Sequence, residues 1–353
     1  MRAEHSRANP TAAMGLEDKR IAVIGGGKLP DPIDTERSLM RVSGLGGLAF
    51  MNSAVYAGLQ NIHLYEAAAE FTEVGAGVNI TRNANRVLDA FGLKESMLAR
   101  SSRDPPSYME YRHYRTGEDL GSIAEFGEPR SRQIHRAHLL EVLLEKVPEE
   151  KISKNKRLVE ISKCDRGEFS LQFQDGTSSK ADIVVGCDGI KSKVRQHLGF
   201  TDVPIYSGQM VYRGYVSYTD LTPQTADLLR KTVNFRGPKR HILTLPIGNQ
   251  EAGNDRVGII GFMTEPLENW KSESWLATAP VDDLHEHVRD WTGAVQEIIH
   301  GLKKESPYGQ MLKQALYVRS PADKWYDAEP ESPGAGIVLL GDSIHSTLPH
   351  QGT

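Results

Sequence analysis

Short apolar runs ending in glycine, separated by helix-like stretches, make up the first part of the chain. Arg20 is followed by Ile21-Ala22-Val23-Ile24 and then Gly25-Gly26-Gly27, the pattern of a buried parallel strand running into a tight turn. Lys28 to Ser43 breaks the pattern with two prolines and six charged residues. Gly44-Leu45-Gly46-Gly47-Leu48-Ala49 then opens a helix-like segment, and Asn61 to Tyr65 reads as a second strand ending at Glu66. A glycine-punctuated loop over Phe71 to Ile80 and a helix over Asn83 to Gly92 follow. Tyr108 to Ile123 alternates around Thr116-Gly117, which predicts a β-hairpin. An amphipathic helix is expected from Ile134 to about Val147. Three strands are expected over Leu158 to Lys163, Phe169 to Phe173 and Ala181 to Val185, the last running into Gly186-Cys187-Asp188-Gly189.

The character changes at Tyr206. Up to Ser306 the chain consists of short alternating runs, Val211 to Tyr218, Thr232 to Phe235, His241 to Pro246 and Arg256 to Met263, and then a helical pair over Asp282 to Ile299 broken at Gly293. Gly336 to Leu340 is again continuously apolar and ends at Gly341-Asp342. These shifts divide the chain into a leader (1–18), a discontinuous nucleotide-binding domain (19–104, 128–205 and 307–353) and a second domain (105–127 and 206–306). The fold class is α/β, α+β overall.

With Lys28 to Gly44 removed, the first strand reads IAVIGGGLGGLAF, a G-x-G-x-x-G across Gly25, Gly27 and Gly47. Glycines allow the tight turn and let the backbone approach a pyrophosphate, while a helix N-terminus presents free N–H groups. An acid about 20 residues on accepts the ribose hydroxyl, and Glu66 stands there once the interruption is discounted. A dinucleotide site is expected, with a purely structural glycine turn as the alternative.

Composition narrows the reading. The 353 residues suit about two domains. Lys+Arg 42 against Asp+Glu 46 leaves a net charge of −4 with no long basic block, so neither nucleic acid nor an anionic membrane surface is indicated. Cys164 and Cys187 are too few for a disulfide framework, and a cytoplasmic location is expected. No apolar run approaches the 18 or so residues of a membrane span. There is no G-x-S-x-G, no C-x-x-C and no metal-ligand spacing.

Five stretches in order, IAVIGGG…GLGGLAF, HRAHLL, ADIVVGCDGIKSKVR, MVYRGYV and IVLLGDSIHSTLPHQG, together resemble the FAD-dependent aromatic hydroxylases of the salicylate hydroxylase type. The resemblance covers Lys19 to Thr353. It implies a Rossmann-like FAD-binding domain with an inserted β-sheet substrate domain, FAD and NAD(P)H as cofactors, and an aromatic substrate and O2 as reactants. Oxygen would reach an electron-rich ring through a flavin hydroperoxide, in a setting such as secondary metabolism. Epoxidation, another reaction on the same fold and an inactive flavoprotein are the alternatives.

Carried across residue by residue, the resemblance assigns Gly25, Gly27 and Gly47 to the phosphate turn, Glu66 to the ribose, Ala76 to the adjoining loop and Arg136 to the FAD phosphates or ribityl chain. Asp188, Gly189 and Arg195 match the motif that serves both FAD and NAD(P)H. Gly341 and Asp342 match the ribityl-binding segment, and Pro349 and Gly352 match the loop that edges the isoalloxazine. Tyr212 and Arg213 match the substrate-domain strand facing the ring, and His345 is a candidate base beside His350. The bland readings are local ones: Asp188 and Asp342 as helix caps, Arg136 in an ion pair, Tyr212-Arg213 as surface residues, and the histidines as structural.

Two departures stand out. The chain stops at Thr353, ahead of the flavin-facing helix that the resemblance implies, so a C-terminally truncated form is expected. Lys28 to Gly44 spans 17 residues, a frame-preserving length. Gly27-Lys28 can be encoded GGT-AAG and Ser43-Gly44 TCA-GGN, so we expect a translated intron of the short fungal type. A tolerated surface insertion is the alternative, since doubling a loop costs only about 0.6 kcal/mol.

Overall fold

The computed structural model describes residues 15–25, 44–69, 77–102, 107–124, 127, 130–164, 167–248, 255–269, 277–328 and 334–351. Gly27, Ala76 and Gly352 lie outside the described residues, as do the leader up to residue 14 and the interruption up to residue 43.

Ile21–Gly25 is buried at every position because it is central to a six-stranded sheet, flanked in parallel by Ile62–Glu66 and Ile183–Cys187. Gly336–Leu339 and Ile152–Ser153 extend the parallel order on the two sides, and Tyr326–Ala328 closes one edge antiparallel. On one face the helices Leu45–Tyr56 and Arg136–Leu144 bury Leu48, Met51, Leu139 and Leu140 against Val23 and Leu64. The buried Asn52 amide joins the two helices, donating to the Leu48 carbonyl at 2.9 Å and the Leu143 carbonyl at 2.7 Å. The other face packs through Ala22, Ile24 and Val184 against Phe169, Leu171 and Phe173 of a three-stranded antiparallel sheet.

The second domain is an eight-stranded sheet in the order Thr278–Pro280, Gln310–Val318, Ile205–Ser217, Arg256–Thr264, Arg240–Ile247, Val233–Gly237, Ser107–His113, Asp119–Ala124. Every pairing is antiparallel except that of Val233–Gly237 with Ser107–His113. Helices Val281–Val288 and Gly293–Glu305 cover one face and bury Val288, Val295, Ile298 and Leu302 on it. Among the described residues no helix is long and apolar enough to cross a membrane.

Three expectations change. Gln310–Val318 pairs with Ile205–Ser217, so the eight-stranded sheet runs to residue 318 and the chain leaves it at Arg319, not near residue 307. The strand expected over Ala181 to Val185 is two strands, Ser178–Ala181 in the small sheet and Ile183–Cys187 in the parallel one. The change of sheet falls at Asp182, whose carboxylate receives the Arg20 backbone N–H at 2.8 Å and its guanidinium at 2.7 Å. The loop before Arg82 contains a strand, Gly77–Ile80, paired with Arg132–His135. A Cβ at Gly77 would lie 2.5 Å from Ile247 Cγ2, so glycine is what lets this ribbon press onto the eight-stranded sheet.

Candidate functional site

The carboxyl ends of the parallel strands bring the cofactor-side residues together, the usual ligand position in a doubly wound sheet. Gly25 is in register with Glu66 on one side and Cys187 on the other. A Cβ on Gly25 would sit 2.6 Å from Glu66 Oε2, so only glycine permits the carboxylate there. Glu66 is 1% exposed and its other oxygen accepts the Ala68 N–H at 2.9 Å. Gly47 lets the helix approach the sheet: an added Cβ would lie 3.3 Å from Leu64 Cδ1 and 3.8 Å from Val23 Cγ1. Among the described residues no side chain caps that helix at Gly44, and no acid occupies its first turn, an arrangement that suits an anion at its leading N–H groups. These residues suit a dinucleotide. Arg136 opens the helix after Arg132–His135, and the His135 ring caps that helix by accepting the Ala137 N–H at 3.2 Å.

Gly341 has φ 66° and ψ −141°, a conformation essentially confined to glycine, and it turns the chain so that Asp342 is exposed with no side-chain partner among the described residues. We expect Asp342→Ala to weaken FAD binding by about 1.5–3 kcal/mol, the worth of a hydrogen bond to a charged group, with unchanged urea unfolding of the apoprotein. An equal loss of apoprotein stability would instead assign the carboxylate to the fold.

Asp188 and Arg195 are engaged inside the protein. Asp188 accepts the Ser192 hydroxyl at 2.5 Å and the N–H groups of Lys193 at 2.6 Å and Val194 at 3.3 Å, so its carboxylate caps the helix Lys193–His197. Burial pushes its pKa up against those donors. Gly189 has φ 77° and makes the turn. Arg195 is 2% exposed, and its guanidinium binds Asp202 and the carbonyls of Ser343 and Ile344. Its expected direct contact with a cofactor is corrected: it holds the Asp188-Gly189 and Gly341-Asp342 segments together.

The expected catalytic set of Tyr212, Arg213 and His345 is not brought together. Neighbouring strand residues point to opposite faces, so Tyr212 and Arg213 cannot both face a ring. Tyr212 is fully buried under the helices and donates to Glu265 Oε1 at 2.7 Å. His345 packs on Trp325, ring centroids 5.4 Å apart, beside the edge strand of the FAD sheet. Arg213 lies on the opposite face and donates to Gln314 Oε1 at 2.6 Å.

That second face meets the loop carrying Pro349. Val211, Phe262 and Leu316 pack with Leu348, and the His350 imidazole is 2.7 Å from Gln209 Oε1 and 4.8 Å from the Phe262 ring. His241 stacks on Phe262 at 4.5 Å with an interplanar angle of 19°. Further along, His135 Nε2 meets the Tyr215 hydroxyl at 3.0 Å. Sequence reasoning missed Gln209, Val211, His241 and Phe262. Stepping by two from Arg213 finds the first two, and cross-strand register finds the others, Val211 opposite Phe262 and Phe262 opposite His241.

Burial, His350 and Arg236 hold the His241 imidazole down at about 4, and burial lowers His350 and His135 as well. Between pH 6.5 and 4 the unfolded chain therefore binds more protons than the folded one. The stability contributed by neutral His241 is complete above pH 6.5 and lost as pH falls to 4, about 3 kcal/mol at 1.36 kcal/mol per pKa unit. Urea unfolding across that range should show the decline, and His241→Phe should flatten it; an unchanged slope in the variant would place the loss elsewhere.

A family model described as FAD binding domain matches residues 43–353, beginning at the last residues of the interruption. The chain is 30% identical over 353 residues to salicylate hydroxylase of Pseudomonas putida, covering 94% of this chain and 73% of that protein. It is 28% identical over 346 residues to 6-hydroxynicotinate 3-monooxygenase of Pseudomonas fluorescens, covering 95% and 78%. Among solved structures it resembles a salicylate hydroxylase substrate complex, with a TM-score of 0.72, 23% identity and coverage of 96% of this chain and 76% of that one. Klebsiella pneumoniae HpxO complexed with FAD and uric acid gives a TM-score of 0.73 at 21% identity, covering 96% and 77%. With that match over most of its length and the glycine turn, Glu66 and Asp342 converging on one sheet edge, the chain belongs to the FAD-binding-domain family and is an FAD-dependent monooxygenase of the salicylate hydroxylase type, with FAD and NAD(P)H as its cofactors.

Proposed function

We propose that the protein adds one oxygen atom from O2 to a small aromatic ring bearing a hydroxyl or carboxylate, held between the substrate-sheet face and the Leu348-Pro349-His350 loop. The observation that carries this is the cluster of Val211, His241, Phe262 and His350 on the one sheet face that meets the loop. Bound FAD, reduced by NAD(P)H, supplies the oxygen activation; the chain positions, polarises and excludes water. Phe262 and Val211, buried beneath Leu348 and the His241 ring, form the apolar floor that holds His241 and His350 in place beside an aromatic ring. His241, neutral at physiological pH, accepts a hydrogen bond from a ring hydroxyl, and Arg213 supplies the cationic group for a carboxylate. The aromatic substrates in the names of the relatives, salicylate and 6-hydroxynicotinate, are of this class. Glu66, Gly25, Gly47, Asp342 and Arg136 hold the cofactor in this reading. Gly341 sets Asp342, and Pro349 places the loop.

The test is steady-state NAD(P)H oxidation by flavin-loaded protein with a panel of hydroxybenzoates and hydroxypyridines, with product analysis by mass spectrometry. One panel member should stimulate oxidation and gain one oxygen atom, and Phe262→Ala should raise its KM, because it removes the ring on which His241 stacks, a contact worth about 0.5–1.5 kcal/mol. A protein that binds flavin but is stimulated by no member, or that converts one without gaining oxygen, carries out a different reaction.

A further inference from the structure

Four segments cross between the domains, and two of them, one leading into Ile205–Ser217 and one leading out of Gln310–Val318, belong to strands paired where they meet the FAD domain, Ile205 opposite Val318. Asp202 stands just before the first and Arg319 just after the second. Asp202 Oδ1 accepts Arg195 Nε at 3.1 Å and Nη2 at 2.9 Å, while Oδ2 accepts Arg319 Nη1 at 2.9 Å. Arg319 Nη1 also reaches the Asp202 carbonyl at 2.6 Å, and Nε reaches the Ile190 carbonyl at 2.5 Å. Arg195 Nη1 binds the Ser343 carbonyl at 3.3 Å and the Ile344 carbonyl at 3.2 Å, and its guanidinium lies over the Phe200 ring at 4.3 Å.

We propose that Asp202, with Arg195 and Arg319, is a positioning unit that locks both domain crossovers to the Asp188-Gly189 and Gly341-Asp342 segments, and so sets where the substrate sheet stands against the cofactor edge. The proposal rests on the cofactor-site reading above. One carboxylate serves two buried guanidiniums, leaving a net positive charge that the carbonyls of Ile190, Ser343 and Ile344 absorb. Each of those carbonyls belongs to one of the two cofactor-side segments, so the charge balance is met only when both segments and both crossovers are in place together. A single carboxylate therefore couples two stretches of chain, 188–202 and 319–344, that are distant in sequence. Arg195 and Arg319 are 2% and 9% exposed, so water cannot stand in for a missing partner at low cost.

The experiment compares the full chain with Asp202→Asn, which keeps the side-chain volume and removes the charge, and Arg319→Lys, which keeps the charge and loses the bond to the Ile190 carbonyl. Val295→Ala, in the fully buried core under the helices of the substrate domain, is the control for general destabilisation. Amide hydrogen exchange of the apoprotein is read alongside FAD affinity. Asp202→Asn should lose protection together over 189–197, 341–346 and the paired crossover ends, with Ile62–Glu66 and Gly293–Glu305 unchanged, and should bind FAD at least about tenfold more weakly, the size of losing one charge-assisted bond. Arg319→Lys should show the same pattern more weakly, and Val295→Ala should show neither effect. Loss of protection confined to 189–202, or spread evenly over the domain, would overturn the proposal, as would FAD binding equal to that of the parent. If Asp202→Asn does not fold, Arg319→Lys decides by the same criteria. A parent protein that takes up no FAD would overturn the cofactor reading, and the exchange pattern would still decide the bracket.

Discussion

Replacing Glu265 by alanine is expected to lower the unfolding free energy by about 3–5 kcal/mol, the cost of stranding a buried charge. Glu265 is 5% exposed and sits beneath the substrate sheet, where it accepts hydrogen bonds from Tyr212 at 2.7 Å, Lys313 at 2.8 Å and His287 at 3.1 Å. Burial alone would push its carboxyl up, but the hydrogen bonds from His287, Lys313 and Tyr212 together hold it down at about 2. Lys313 is 6% exposed, so removing the carboxylate leaves an ammonium with no anion in a dry place. Glu265→Leu combined with Lys313→Met should recover most of the loss, because a buried ion pair replaced by packed apolar groups is often neutral or better. Urea unfolding of the two variants settles the matter. A single substitution costing less than about 1 kcal/mol would place the pair in the weakly contributing class of exposed bridges.

FAD affinity should fall by about 1.5–3 kcal/mol, roughly tenfold to a hundredfold, when Glu66 becomes alanine. The carboxylate is fixed by the chain around it: one oxygen takes the Ala68 N–H, and the other lies against the Gly25 α-carbon at the mouth of the glycine turn. A group held so rigidly costs little ordering entropy when it accepts a hydroxyl. Glu66→Gln separates the cofactor contribution from the structural one, since an amide oxygen can still receive the Ala68 N–H while the negative charge is gone. The glutamine variant should keep the apoprotein's stability and lose part of the affinity, read by quenching of FAD fluorescence on titration. If both variants bind FAD as the parent does, Glu66 is not the ribose acid.

Much of this protein is legible in its sequence because the relevant signals are local. An apolar run ending in glycine can hardly be anything but a buried strand and a turn, and the strand ends at Gly25, Glu66, Cys187 and Leu339 meet on one edge because parallel strands joined through crossovers must align that way. The motif residues Asp188 and Arg195 came from the resemblance, with a helix cap as the local alternative for Asp188, and which role each side chain takes was not legible. The reading of Asp188 as a helix cap required the chain to turn back within five residues, and the engagement of Arg195 required Ser343 and Ile344, about 150 positions away, to present carbonyls to it.

Strand alternation shows that Tyr212 and Arg213 lie on opposite faces, but nothing local says which face the helices Val281–Val288 and Gly293–Glu305 cover and which meets the Leu348–His350 loop. That choice is made by long-range register, in which Val211 stands opposite Phe262 and Gln314, and by packing that buries Met210, Tyr212 and Val216 together on the helix side. The substrate sheet's extra strand, Gln310–Val318, escaped for the same reason: its partner is a hundred residues earlier, and pairing across such a distance leaves no periodic mark in the segment itself. Sequence alone determined most of the elements and the ends of the parallel strands, because hydrophobic periodicity and glycine geometry act over a few residues. The tertiary structure decided which side chains face the cleft, because a strand has two faces and only the layers packed against it distinguish them.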